Sequence, residues 1–212
     1  FAFSGLNVSR IFQNLTGSIA TLKGFGFIGG NGTGTNGFNN GGGAIVNNGT
    51  MILSRCTFYN NNVSLTGGAI YNDSVLSLTN CTFYGNTASA LGGAIANDGT
   101  LALTHCTVSG NYGGSAGGGI YNGGVATVAN CIVSGNTSST GADIRNFTIM
   151  NYIGTNLVAV LTGNVPGGPA ANTSAALLAI LGAYGGNTTT MALLPGSPAR
   201  NAAVGSSATS DQ

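Results

Sequence analysis

The sequence predicts an all-β chain wound as a parallel β-solenoid of about 25 residues per coil. Three observations predict it. Cys56, Cys81, Cys106 and Cys131 recur at a constant interval of 25 residues. Around them apolar and polar residues alternate with a period of two, as in Leu76-Ser77-Leu78 and Cys81-Thr82-Phe83, and no 3.6-residue stripe runs through the repeat. Glycine supplies 38 of the 212 residues and charged side chains only 4%, a composition of tight turns and uncharged surface.

The rungs align in columns. They are NNGTMILSRCTFYNNN, NDSVLSLTNCTFYGNT, NDGTLALTHCTVSGNY and NGGVATVANCIVSGNT. One asparagine column is Asn47, Asn72, Asn97 and Asn122, and a second is Asn61, Asn86, Asn111 and Asn136. Ile45, Ile70, Ile95 and Ile120 form an apolar column, each behind a glycine pair such as Gly67-Gly68. Each rung is expected to hold three short strands: one around Gly-Ala-Ile, one ending near residue 79 and one around residues 81–84 in the second rung. Strands this short cannot bury themselves, but stacked rungs turn every column into a ladder with neighbours ~4.8 Å apart. Asparagine is expected at the corners, where it tolerates the left-handed region and bonds to backbone or to the asparagine of the next rung.

The ends are less regular. Residues 10–31 read as an earlier rung followed by a longer loop, Gly32–Gly41, and Gly141–Asn146 opens a last, degraded rung that runs to about Leu157. The expected organisation is therefore coils over 1–157 and an irregular cap or tail over 158–212, which holds all four prolines.

Composition excludes several functions. Five dispersed cations and a net charge of +1 do not make a nucleic-acid surface. Four scattered carboxylates do not make a paired-carboxylate hydrolase or an acid-rich metal site. No segment reaches the ~18 apolar residues of a membrane span. The 25-residue cysteine interval is neither a zinc pattern nor a disulfide framework, so the four cysteines are expected as buried thiols acting as small apolar side chains, with one bridged pair of neighbouring rungs as the alternative in an oxidising compartment. Gly24-Phe-Gly-Phe-Ile-Gly29 matches the dinucleotide glycine pattern, but no helix is expected after it, so it reads as turns. Asp73 and Asp98, one rung apart, form the best acid pair and read as turn residues; His105 shares a corner column with Arg55, Asn80 and Asn130 and reads as surface. Asparagine sequons are frequent, among them Asn72, Asn146 and Asn187. No catalytic, cofactor or metal residue is assigned.

The GGAI segments at 42–45, 67–70 and 92–95, with GGGI at 117–120, together with Phe58-Tyr-Asn-Asn61 and Phe83-Tyr-Gly-Asn86, resemble the two halves of the chlamydial polymorphic outer-membrane-protein repeat; Val108–Asn111 and Val133–Asn136 depart at their first position. The tail LLAILGAYGGNTTTMALLPGSPARNAA followed by SDQ resembles the end of choice-of-anchor Q proteins. The resemblance implies a right-handed, single-stranded parallel β-helix, pectate-lyase-like in shape, in a secreted or cell-surface setting with adhesive or structural roles.

The expected function is accordingly a non-enzymatic, self-associating surface module. Near-zero net charge removes colloidal repulsion, solenoid ends expose strand edges, and Phe1-Ala-Phe-Ser looks like such a strand. The alternative is a polysaccharide- or ice-binding face built on the column Thr57, Thr82 and Thr107 with Tyr59 and Tyr84 beside it. A polysaccharide lyase is a weaker third reading.

Overall fold

The computed structural model describes residues 1–32, 41–184 and 188–200. Residues 33–40 of the predicted loop, the sequon at Asn187 and the terminal SDQ lie outside the described residues. The described chain is a parallel β-solenoid, with every strand pairing parallel to its equivalent in the next coil. Four sheets run along the stack. One has seven short strands, from Ala2–Ser4 and Gly26–Ile28 through Thr82–Tyr84 to Leu157–Val158; a second has six longer ones, from Ile19–Lys23 to Ile149–Ile153; a third has seven, from Phe12–Asn14 to Leu161–Gly163. The fourth has four strands, Asn62–Val63, Thr87–Ala88, Tyr112–Ala116 and Thr137–Thr140. It lies in what the sequence reads as a variable loop. The third sheet's strands also begin at the isoleucine rather than at the glycines before it, as in Ile70–Asn72.

Register confirms the period. Leu53, Leu78 and Leu103 pair in one row and Phe58, Phe83 and Val108 in another. The phenylalanine rings of successive coils stack inside the core at 4.8 and 4.6 Å, from Phe27 to Phe58 to Phe83. Phe27, Phe58, Phe83, Leu78, Ile70 and Ile95 are fully buried. The last coil advances by 24 residues rather than 25, since Ile120 pairs with Ile144. Leu161–Gly163 then pairs with Ile144–Asn146, so the stack continues beyond residue 157.

Three left-handed residues per coil turn the corners. One column is Gly24, Arg55, Asn80, His105, Asn130 and Gly154; a second is Gly29, Asn60, Gly85, Gly110 and Gly135; the third is the first glycine of each pair, such as Gly67. The second glycine is needed for another reason: a Cβ on Gly68 would lie 2.0 Å from the Gly93 carbonyl oxygen of the next coil. Positive φ thus belongs to the residues before the buried side-chain columns. Asn61 and Asn47 themselves do not adopt it, which corrects the expectation that the ladder asparagines supply the left-handed corners.

Candidate functional site

Two buried amide ladders run along the stack. In the first, each Nδ2 donates to the Oδ1 of the next coil, from Asn14 through Asn47, Asn72, Asn97 and Asn122 to Asn146, at 2.7–2.8 Å. In the second, Asn61, Asn86, Asn111 and Asn136 bond at 2.8–2.9 Å; the oxygens of Asn86, Asn111 and Asn136 also accept the backbone N–H of the asparagine before them at 3.0–3.1 Å, and that of Asn61 accepts the Gly30 N–H at 2.8 Å. These asparagines are shut off from solvent, so Asn72, Asn136 and Asn146 are closed as glycan acceptors. Asp143 ends the second ladder.

The cysteine column is the same kind of corner in a less polar form. Cys56, Cys81, Cys106 and Cys131 are free thiols, all buried. Cys106 Sγ lies 3.6 Å from the Leu78 carbonyl, and the Cys106 N–H points at Cys131 Sγ at 3.3 Å. In the next coil Asn156 takes the column: its Oδ1 accepts from Cys131 N–H at 2.9 Å and its Nδ2 donates to the Val128 carbonyl at 3.0 Å. Burial and the neighbouring thiol push Cys81 and Cys106 far above the usual thiol range.

The described charged side chains are largely occupied. Arg10 donates to the carbonyls of Gly32, Gly41 and Gly42 at 2.8–3.2 Å and holds the first glycine turn. Asp98 accepts from the Tyr71 hydroxyl at 2.9 Å, and the Arg145 guanidinium lies 4.2 Å from the Phe147 ring centre. Burial and the Asp98 carboxylate push the Tyr71 phenol up.

Two outer faces remain as candidate binding surfaces. The threonine column of the seven-stranded phenylalanine sheet is partly covered by an antiparallel strap formed by residues 177–184 and 188–194, paired through Gly182–Thr190 bonds at 2.9 Å. Thr57 Oγ1 donates to the Thr189 carbonyl at 2.6 Å and Thr82 Oγ1 lies 3.2 Å from Thr190 Oγ1. Both threonines are buried; Thr107 beyond them is half-buried. Tyr59 and Tyr84 stay half-exposed with rings stacked at 5.9 Å and 9°. With Ile28, Ile180 and Leu181 they line a groove of about 440 Å³ between sheet and strap.

The outer face of the six-stranded sheet is open. Its three outward columns are Ile19, Thr50, Val75, Thr100, Val125, Ile149; Thr21, Ile52, Ser77, Ala102, Thr127, Asn151; and Lys23, Ser54, Thr79, Thr104, Ala129, Ile153. Lys23 is the single charge among these eighteen residues. Its six large aliphatics are 42–77% exposed. Sequence reasoning favoured the threonine–tyrosine columns and noted only one column of this face, Ser54, Thr79, Thr104 and Ala129, without its exposed aliphatics.

Among the described residues no helix is long and apolar enough to cross a membrane. Comparison with curated proteins and with solved structures returns no match. A family model does match: the Chlamydia polymorphic membrane protein repeat, over residues 55–73 and 80–98. Each match covers 19 residues of a 25-residue coil, from the left-handed residue at Arg55 or Asn80, through the cysteine and both asparagine ladders, to Asp73 or Asp98, and stops before the strand of the six-stranded sheet. Two consecutive coils of this β-solenoid are thus similar to the Chlamydia polymorphic membrane protein repeat, a likeness that points to the cell surface or outer membrane.

Proposed function

We propose that the chain is an extracellular structural and adhesive β-helix, without catalytic function, whose open sheet face contacts further copies of itself. The observation that carries this reading is the eighteen-residue outer face with one charge and six exposed aliphatics. Six strands at ~4.8 Å and five residues at ~3.3 Å give a patch of about 480 Å², well short of the ~800 Å² per partner of a stable complex. A single face therefore associates weakly, and the contact grows with the number of coils engaged. The described charges support a non-catalytic reading, since Arg10, Asp98, Asp143 and Arg145 are engaged in structural contacts.

Sedimentation velocity over a hundredfold concentration range tests it. The wild type shows a rising weight-average coefficient. The triple variant Val75→Lys, Thr100→Lys, Val125→Lys, which sets like charges face to face, sediments as a monomer throughout. A concentration-independent wild-type monomer overturns the reading.

The stacked, half-exposed Tyr59 and Tyr84 rings favour a second reading, glycan binding, because flat aromatic faces suit sugar rings. Retention on a polysaccharide array, abolished by the double variant Tyr59→Ala, Tyr84→Ala, would support it. Absence of retention removes it.

A further inference from the structure

The outer face of the six-stranded sheet is periodic in two directions. Its five strand pairs keep register without a shift, from Ile19–Lys23 to Ile149–Ile153. Outward side chains therefore repeat at ~4.8 Å along the stack and, two residues apart, at ~6.6 Å across it. In one outer column four consecutive coils present Thr50, Val75, Thr100 and Val125, which share one shape, a branched Cβ that bears a methyl. The opposite column carries Ser54, Thr79 and Thr104. β-Branched side chains are stiff about χ1, so these methyls and hydroxyls stand in fixed rows before anything binds.

The side chains this face lacks narrow what it can recognise. None of its eighteen outward residues is aromatic or acidic, and the single charge, Lys23, stands at one corner. A crystalline polysaccharide calls for aromatic platforms under its sugar rings, and a mineral for carboxylates around its cations. A rigid array with two regular spacings and no charge in its interior matches a ligand that is itself a lattice of uncharged hydrogen-bonding groups. The prism faces of ice present rows of water oxygens at comparable spacings in both directions.

We propose that this face adsorbs to ice. The hydroxyls of Thr50, Thr79, Thr100 and Thr104 hydrogen-bond to lattice waters, while the methyls of the same residues and of Val75 and Val125 order the water between the rows. Because the array is fixed in advance by the strand ladder, binding does not have to order it. A single chain suffices, so the inference does not rest on self-association, although both use the same face.

The test grows an ice crystal slowly from a solution of the full chain, at a concentration where it sediments as a monomer, and measures the protein taken into the ice together with the crystal shape. The wild type is concentrated in the ice and facets the growing crystal. Ala102 points outward from the middle of the face; Ala102→Tyr raises one ring above the array without adding charge or touching the core. It loses uptake into ice and faceting, with thermal unfolding unchanged and self-association kept. The triple variant Val75→Lys, Thr100→Lys, Val125→Lys loses both activities. Exclusion of the wild type from ice overturns the proposal, as does uptake that survives both variants or retention on crystalline cellulose without uptake into ice. Uptake by a chain that never self-associates upholds it and removes the self-association reading, and self-association without uptake does the reverse.

Discussion

The Asp143 carboxylate stands above Asn136 where the next asparagine of the ladder would be: its Oδ1 accepts both the Asn136 backbone N–H, at 3.0 Å, and the Asn136 Nδ2, at 2.9 Å. Its Oδ2 accepts from Val160 N–H at 2.8 Å. The residue is 1% exposed. Desolvation raises its pKa, and the three donors pull against it without winning.

The sign of the resulting pH dependence is unusual for an aspartate. A carboxyl raised by folding binds its proton more tightly in the native state, so its contribution is most favourable below the ordinary carboxylate range and declines as pH rises towards the native value. Denaturant unfolding from pH 3 to pH 8 is expected to show Asp143→Asn losing less stability on the way up than the wild type, the remaining carboxylates cancelling in the comparison. Asp143→Ala leaves two buried donors on Asn136 and the partly buried Val160 N–H without an acceptor, and is expected to cost about 2–4 kcal/mol at neutral pH.

The first ladder predicts a gradient. Asn97 donates to Asn122 and accepts from Asn72, both at 2.7 Å, whereas Asn14 at the first coil donates to Asn47. Truncating Asn97 to alanine breaks a bond on each side and strands a buried partner on both. Asn97→Ala is expected to cost about 3 kcal/mol and Asn14→Ala about half as much, read from unfolding midpoints at constant denaturant slope.

The coil period and the inner columns were legible because a stack repeats its environments: every Leu78 has a Leu53 and a Leu103 in the same surroundings, so identity recurs at the pitch of the fold. What breaks the repeat left no such trace. Asp143 completes the asparagine ladder from a different column, the one that holds Ala44, Ala69, Ala94 and Gly119 just before the isoleucines, so the 25-residue spacing does not mark it. The fourth sheet is built on Thr87–Ala88 and the glycines of Tyr112–Ala116, too short to show alternation. The strap crosses the sheet as an antiparallel ribbon, and its contacts, such as Thr57 with Thr189, join residues with no common period. The corner column of Arg55, Asn80, His105 and Asn130 was legible as a corner, but its left-handed backbone was assigned to the ladder asparagines instead.

The cysteine column gives a prediction about reactivity. The thiolate is the reactive form, and burial disfavours it at Cys81 and Cys106. An aromatic disulfide reagent at pH 8 is expected to leave the native thiols unmodified and to titrate all four in guanidinium. Cys131→Asn is expected to fold, because Asn156 already makes the same corner one coil on through the Val128 carbonyl and the Cys131 N–H; Cys131→Val keeps the volume, loses the sulfur contacts and is expected to be less stable by about 1 kcal/mol.

The backbone of His105 limits which residues can replace it. It holds φ 53° in a column whose equivalents are Gly24, Asn80, Asn130 and Gly154. A β-branched side chain in that region is strained, while glycine and asparagine enter it readily. His105→Asn and His105→Gly are therefore expected to be neutral or mildly stabilising, and His105→Val to cost about 1–2 kcal/mol. Were the histidine held for a functional contact instead, asparagine would impair self-association while valine and glycine did so equally. Unfolding and sedimentation of the three variants side by side separate the two, since backbone strain orders them by side-chain branching and leaves association in the folded chains unchanged.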